Sequence, residues 1–390
     1  MIVIAGKNDI AVHGLFLAME FFDLDKIIVI PNKNDLGVDG WQRSLSKAAK
    51  DNNIVIKNLN EVYDTEIDCF ISLEFDQLIK PAMLSTESVY NIHFSKLPEY
   101  KGMYTSVWPI LFCDKNSGVT LHKIDKGIDT GDIVSQRVFD LNASDRSQDC
   151  YRKYIDNAKL LISEWFERII NKNITYKKQS AIRSTYYSAS SIDYKNLKIN
   201  FKRTAWQIKR QVYAFSFRPY QLLTFEGLDI SDVIITNNKS VFPPGTIISK
   251  ELDYFSVSSV DYDVKLYFDD LDNILQNMNK MNVESFSKKM VNILGVNDRN
   301  GKGWSPIIVA AYYGRVDLIA YLLDNGALIN DRNYRGTAVL MYAKDYSLKH
   351  KDNKVIKYLI NHGADPMLKD WSGKTIYDYI TKQQVGFLDL

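Results

Sequence analysis

The sequence predicts an α/β domain built on a parallel sheet, followed by a small β-rich module and then an array of paired helices. Three observations carry this. Short β-branched runs alternate with helical stretches over the first 140 or so residues. The pattern turns β-rich after Asn173, and near the C-terminus a block of sequence recurs at periods of 33 and 37 residues. With 390 residues, the length prior of roughly 100–200 per domain gives about two to four modules.

In chain order, strands are predicted at Ile2 to Ala5, Lys26 to Ile30, Ile54 to Ile56, Cys69 to Ser72 and Val89 to Ile92, with helices such as Gly40 to Lys50 between them. Such alternation points to crossover units. Tyr151 to Ile170 places Ile155, Ala158, Leu161, Ile162, Trp165, Phe166, Ile169 and Ile170 on one helical stripe, which should pack on the sheet. A helix near Thr204 to Tyr213 and a turn at Pro219 follow. The next strands are Thr246 to Ser249, Tyr254 to Ser258 and Lys265 to Phe268. The expected divisions are 1–172, 173–268, a connecting helical linker at 269–294, and 295–390.

The repeating block is Gly303-Trp-Ser-Pro-Ile-Ile-Val-Ala-Ala311, echoed from Gly336 and Gly373, with Leu322-Leu-Asp-Asn-Gly-Ala327 echoed from Leu359. It resembles the ankyrin repeat, in which a β-turn and two helices stack on neighbours to bury a core. Two full copies and a partial third are expected over 295–385. The four extra residues would fall near Tyr346 to Asp352, between paired helices. Trp304 and Trp371 are read as equivalent positions at the starts of two repeats.

Composition narrows the function classes. The chain has 49 basic and 47 acidic side chains, 46% hydrophobic and 25% charged residues, which disfavours a nucleic-acid coat or a disordered polyelectrolyte. Cys69, Cys113 and Cys150 show no paired spacing, so they are expected to be core thiols rather than disulfides or zinc ligands. The start lacks a basic leader, and no run approaches the ~20 apolar residues of a membrane span. A cytoplasmic location is expected. Ala5-Gly6-Lys7-Asn8-Asp9 lacks the glycine spacing of dinucleotide or triphosphate loops.

Two segments hold the candidate chemistry. Asn91 and His93, at i and i+2 on a strand end, share one face. Gly118 to Ile133 reads as a strand running into a glycine-punctuated loop with Asp125, Asp129 and Asp132. Amide, imidazole and carboxylate together supply an oxyanion donor, a general base and a group that orients the base. No serine or cysteine nucleophile accompanies them, so the attacking group would come from the substrate. His13, His122, His350 and His362 are scattered and are read as structural, and no metal is expected.

Asn91-Ile-His93, then Leu97-Pro-Glu-Tyr-Lys-Gly102, Gly118-Val-Thr120 and Ile128-Asp-Thr-Gly-Asp132 resemble the signature of the 10-formyltetrahydrofolate-dependent formyltransferases. The resemblance implies a Rossmann-like α/β formyltransferase domain with Asn91, His93 and Asp129 as the catalytic set. It implies N10-formyltetrahydrofolate as co-substrate, held along the loop from Leu73 to Lys80 by Leu73, Phe75, Asp76, Leu78 and Ile79, with Asp125 and Asp132 nearby.

Tyr100 to Ile110 and Ala214 to Tyr220 resemble the branch that formylates nucleotide-linked amino sugars. Met103 stands where the UDP-aminoarabinose enzymes have an arginine, which favours a dTDP-linked amino-dideoxyhexose. Tyr100, Lys101, Met103, Tyr104, Trp108 and Tyr220 are the substrate-binding candidates. The ankyrin array resembles that of the dTDP-3-amino-3,6-dideoxyglucose N-formyltransferases, whose product serves O-antigen and lipopolysaccharide synthesis.

Trp304, Tyr313 and Arg315 form a candidate second ligand site in that array, for a nucleotide sugar; repeat packing or a protein contact is the competing reading. A homodimer is expected by resemblance, with no nucleic-acid or membrane partner. The alternatives are a 4-amino sugar enzyme and a methionyl-tRNA formyltransferase-like one. For the latter, residues 173–255 carry only 12 basic against six acidic side chains.

Overall fold

The computed structural model describes residues 1–218 and 220–390. The turn expected at Pro219 lies outside the described residues. The chain divides into two compact units, Met1–Leu197 with Tyr213–Phe215, and Lys198–Val212 with Ser216–Leu390.

The first unit is built on seven of its strands. These are β1 (Ile2–Gly6), β2 (Ile27–Pro31), β3 (Val55–Ile56), β4 (Cys69–Leu73), β5 (Val89–His93), β7 (Asn116–Lys123) and β8 (Ile133–Asp140), with the short β6 (Lys101–Gly102) lying outside the sheet. Their order is β3-β2-β1-β4-β5-β7-β8. β1 through β5 pair in parallel, and the runs β1, β2 and β4 are buried on both faces, which explains sequences that are apolar but for Ser72. The expectation of a parallel sheet needs correcting at one edge, because β7 and β8 are antiparallel. The loop 124–132 that joins them is shorter than the dozen or more residues a parallel crossover requires.

The helices of this unit are α1 (Asn8–Phe21), α2 (Leu45–Asp51), α3 (Leu59–Tyr63), α4 (Trp108–Leu111) and α5 (Ser147–Ile170). α1 packs on α5, and His13 Nε2 meets Ser163 Oγ at 2.8 Å between them. The helix expected from Gly40 begins at Leu45. Ser44 caps it by accepting from Lys47 N at 2.9 Å, and the Asp35 and Asp39 carboxylates hold the preceding turn through Ser46 N and Ser44 N. Cys69 and Cys150 are buried as expected, whereas Cys113 is exposed just beyond α4.

The segment after residue 172 stays with the first unit as far as Leu197. Its strand β9 (Tyr186–Tyr187) pairs in parallel with β6, and Lys177 bridges Ile133. The expected boundary at 172/173 therefore falls inside this packed region.

Helix α6 (Ala205–Ala214), which the second unit holds as far as Val212, is followed by an antiparallel sheet in the order β10 (Thr224–Phe225), β11 (Leu228–Lys239), β14 (Tyr262–Phe268), β13 (Tyr254–Val257), β12 (Ile247–Lys250). The long β11 pairs with β14 and was not anticipated, because its apolar residues break off into Thr236-Asn-Asn-Lys239.

The stretch expected to be a connecting linker is instead packed structure. α7 (Leu271–Asn277) and α8 (Val283–Lys289) share one core with the repeats, through Leu271, Ile274, Leu275, Met278 and Phe286. The array continues with α9 (Pro306–Tyr312), α10 (Val316–Asp324), α11 (Val339–His350), α12 (Lys354–Asn361) and α13 (Lys382–Leu388). The extra residues fall in a longer α11, 12 residues against seven in α9, rather than in a loop between helices.

Each repeat opens on the same turn. Asn300, Asn333 and Asp370 each use Oδ1 to accept the backbone N–H groups two and four residues on. This aligns Trp304 with Thr337 and Lys374, and Trp371 with Tyr334, so the two tryptophans are not equivalent. The periodic role belongs to Tyr334 and Trp371: the missing Cβ of Gly303 faces the first and that of Gly336 the second, both within 2.7 Å. No helix among the described residues is long and apolar enough to cross a membrane.

Candidate active site

β5 carries two of the expected groups. Its register places Ser72 beside Asn91 on β4, and His122 opposite Asn91 on β7. Because residues opposite one another share a face, His122 joins Asn91 and His93 there. Asn91 Nδ2 lies 3.1 Å from His122 Nε2, and His122 Nδ1 donates to the carbonyl of Lys123 at 2.9 Å. His122 is thus part of the site, contrary to its reading as a scattered structural residue. The signal was its even spacing from Gly118 and Thr120 along a strand whose partner could not be identified before the register was known.

The loop 124–132 brings Asp129 to the same face. Its Oδ2 is 3.5 Å from His93 Nδ1 and its Oδ1 is 3.6 Å from His122 Nε2. Gly102 N donates to Oδ2 at 2.9 Å. Asp129 itself holds a left-handed φ of 53°, a conformation kept where surrounding structure over-determines it. Gln179 supplies that determination by donating to the carbonyls of Asp129 and Gly131, each at 2.7 Å. Burial alone would raise the Asp129 carboxyl, but the charge of His93, the hydrogen bond and charge of His122 and the Gly102 amide outweigh it. The net result holds this carboxyl well below the usual carboxylate range.

His93 is 8% exposed, and its Nε2 donates to the carbonyl of Tyr100 at 2.9 Å. Both ring nitrogens therefore face acceptors. The residues expected to bind substrate split in two. The Tyr100 ring is buried beside Phe112 and Tyr187, with its hydroxyl on Asp114 at 2.5 Å; burial and that carboxylate keep the phenol protonated to high pH. Trp108 is buried too, stacked on Tyr187 at 3.9 Å with Nε1 donating to the carbonyl of Met103. These rings hold the 100–103 loop rather than offer open faces. Lys101 donates to Ser184, Tyr104 to the carbonyl of Ala189, and Met103 is 48% exposed. Tyr220 belongs to the second unit and is exposed.

Among the described residues no backbone amide of 75–79 is bonded within the chain, Leu78 is exposed, and Phe75 and Ile79 are partly buried against the sheet. Asp76 accepts from Lys33 N, and Asp125 accepts from Gly127 N and Thr130 Oγ1, so both carboxylates also shape their own loops.

In the repeat array, Arg315 donates to both Asp317 oxygens and to the carbonyls of Met278 and Asn279. Trp304 lies against Tyr312 and Tyr342, and Tyr313 is partly buried on the core.

Residues 28–165 match the formyl transferase family, and residues 277–370 match three copies of the ankyrin repeat. WlaRD, a sugar 3N-formyl transferase solved with dTDP and 5-N-formyl-THF, is 42% identical with a TM-score of 0.63 over 68% of this chain and 97% of its own. The N-formyltransferase of Helicobacter canadensis, solved with folinic acid and dTDP-3-aminofucose, is 40% identical with a TM-score of 0.62 over 68% of this chain and 98% of its own. The methionyl-tRNA formyltransferase of Fervidobacterium nodosum is 27% identical over 47% of this chain; the match spans 59% of that protein's length.

Proposed function

The chain belongs to the sugar N-formyltransferase family, and on that premise we propose that it moves a formyl group from N10-formyltetrahydrofolate to the amine of a dTDP-linked amino-dideoxyhexose. The preferred sugar is dTDP-3-amino-3,6-dideoxy-D-glucose, with its product serving O-antigen and lipopolysaccharide synthesis in the cytoplasm. The observation that carries this reading is the convergence of Asn91, His93 and Asp129 on one face of the sheet. The 40–42% identity to two dTDP-sugar-associated relatives supports the substrate class over the tRNA alternative.

The co-substrate, held by the backbone of 75–79, supplies an electrophilic formyl carbon. Asn91 donates to the formyl oxygen as negative charge grows there; loss of one such donor typically costs ~10²–10³ in rate. His93, whose Nε2–H is committed to the Tyr100 carbonyl, takes at Nδ1 the proton that the attacking amine sheds, and Asp129 faces the imidazolium so formed; that proton then passes to N10 as the C–N10 bond breaks and tetrahydrofolate leaves. The Tyr100 carbonyl fixes the far side of the ring. A homodimer, and a second nucleotide-sugar site at Trp304, Tyr313 and Arg315, belong to the same proposal.

The test is an assay of dTDP- and UDP-amino sugars with 10-formyltetrahydrofolate, following the formamide by mass. Product with a dTDP-amino sugar, abolished in a folded His93→Asn variant, is expected. Product only with methionyl-tRNA, or full turnover in His93→Asn, would overturn the reading.

A further inference from the structure

β1 lies between β2 and β4, so the chain leaves the sheet in opposite directions from the carboxyl ends of β1 and β4. Ligands of open α/β sheets settle in the crevice at such a switch point. Two residues there, Asn8 after β1 and Glu74 after β4, adopt left-handed φ values of 64° and 58° although neither is glycine. Their side chains meet. Asn8 Nδ2 donates to Glu74 Oε2 at 3.2 Å, and Tyr151 OH donates to the same oxygen at 2.7 Å. Glu74 Oε1 has no partner among the described residues.

A second unfilled acceptor lies alongside. Asn32 is 3% exposed and donates from Nδ2 to the carbonyl of Glu74 at 2.9 Å, which fixes its amide orientation and leaves Oδ1 buried with no hydrogen-bond partner. A buried acceptor in that state calls for a donor. The position is close to the candidate active site. Leu73 pairs with Ile92 on the adjacent strand, and Glu74 and His93 are the residues that follow them. The Tyr151 ring also packs on Phe94, the residue after His93, at 5.8 Å.

We propose that this cluster is the subsite for the substrate's pyranose ring, with Glu74 and Asn32 accepting hydrogen bonds from its hydroxyl groups and Glu74 determining specificity. The assignment rests on the functional reading above. Two acceptors without donors suit a ligand rich in O–H groups, whereas a phosphate would bring a like charge against the Glu74 carboxylate. Burial raises the Glu74 carboxyl, while the Lys7 charge and the hydrogen bonds from Tyr151 and Asn8 oppose that rise. Burial prevails, so the Glu74 carboxyl is held above its usual range.

The experiment is steady-state kinetics of the full chain and of Glu74→Gln, with dTDP-3-amino-3,6-dideoxyglucose and its 2-deoxy and 4-deoxy analogues. A hydrogen bond to a charged acceptor implies a kcat/KM loss of roughly ten- to hundredfold for Glu74→Gln on the parent sugar. That penalty should shrink toward unity on the analogue lacking the bonded hydroxyl. Tyr151→Phe, which removes the donor that aims the carboxylate, should give the same pattern at smaller size and serves if Glu74→Gln fails to fold. An equal penalty on all three sugars, or none on the parent, overturns the subsite while leaving the proposed function intact. Absence of turnover by the wild-type chain with every dTDP-amino sugar overturns both.

Discussion

Asn91 and His122 face each other across β5 and β7, with Nδ2 and Nε2 3.1 Å apart. The imidazole thereby fixes the amide that is to meet the reacting oxygen, and it also touches Asp129 at 3.6 Å. His122 is a positioning residue rather than a catalytic one. His122→Ala should lower kcat about ten- to hundredfold with KM for the sugar nearly unchanged, because orientation is lost and binding is not. A matched fall in kcat and rise in KM would refute that role.

Gly102 has a φ of 88°, and a Cβ there would stand 2.2 Å from the Tyr187 carbonyl oxygen. Gly102→Ala should break the β6–β9 pairing and withdraw the amide from Asp129. We expect a loss of about 1–3 kcal/mol in stability, the cost of a strained left-handed residue, measured by urea unfolding, together with a larger loss of activity. Unchanged turnover would mean that the amide contact is dispensable.

Asp129 is held charged in the folded protein, with its folded value below the unfolded 3.8. Its contribution to stability is therefore whole above about pH 4 and is lost as pH falls from there toward the folded value. Asp129→Asn should lower stability at neutral pH and flatten the acid limb of the stability profile. A profile parallel to that of the wild type between pH 2 and 5 would contradict this.

Phe286 is fully buried in the core shared by α7, α8 and the repeats. Phe286→Ala should cost about 3–5 kcal/mol, read as a lowered thermal transition of the second unit. A flexible linker would tolerate it without effect, so the measurement separates packed structure from tether.

The strands of the first unit were legible because both-face burial leaves largely apolar runs at Ile2, Ile27 and Cys69. Asn91, His93 and Asp129 could be singled out because they lie in short, ordered motifs. His122 could not, since its membership depends on the antiparallel register of β7 against β5, a long-range property that local spacing does not carry. Gln179 was hidden for a similar reason: it reaches Asp129 from 50 residues away in sequence. The Gly303 block and the 33-residue period marked the repeats, yet the polar surface of α7 and α8 concealed that their inner faces complete the same core.

Two of the contacts that orient the imidazole and carboxylate, at Tyr100 and Gly102, are made by peptide groups rather than side chains. Truncating the Tyr100 side chain removes neither atom, so the contact at its carbonyl is invisible to side-chain substitution, and at Gly102 even one added carbon disturbs the path. Orientation of the reacting groups is thus stored in the path of the chain. The Lys101 side chain takes no part in that path, whereas the Tyr100 ring, packed on Phe112 and Tyr187, helps to hold it.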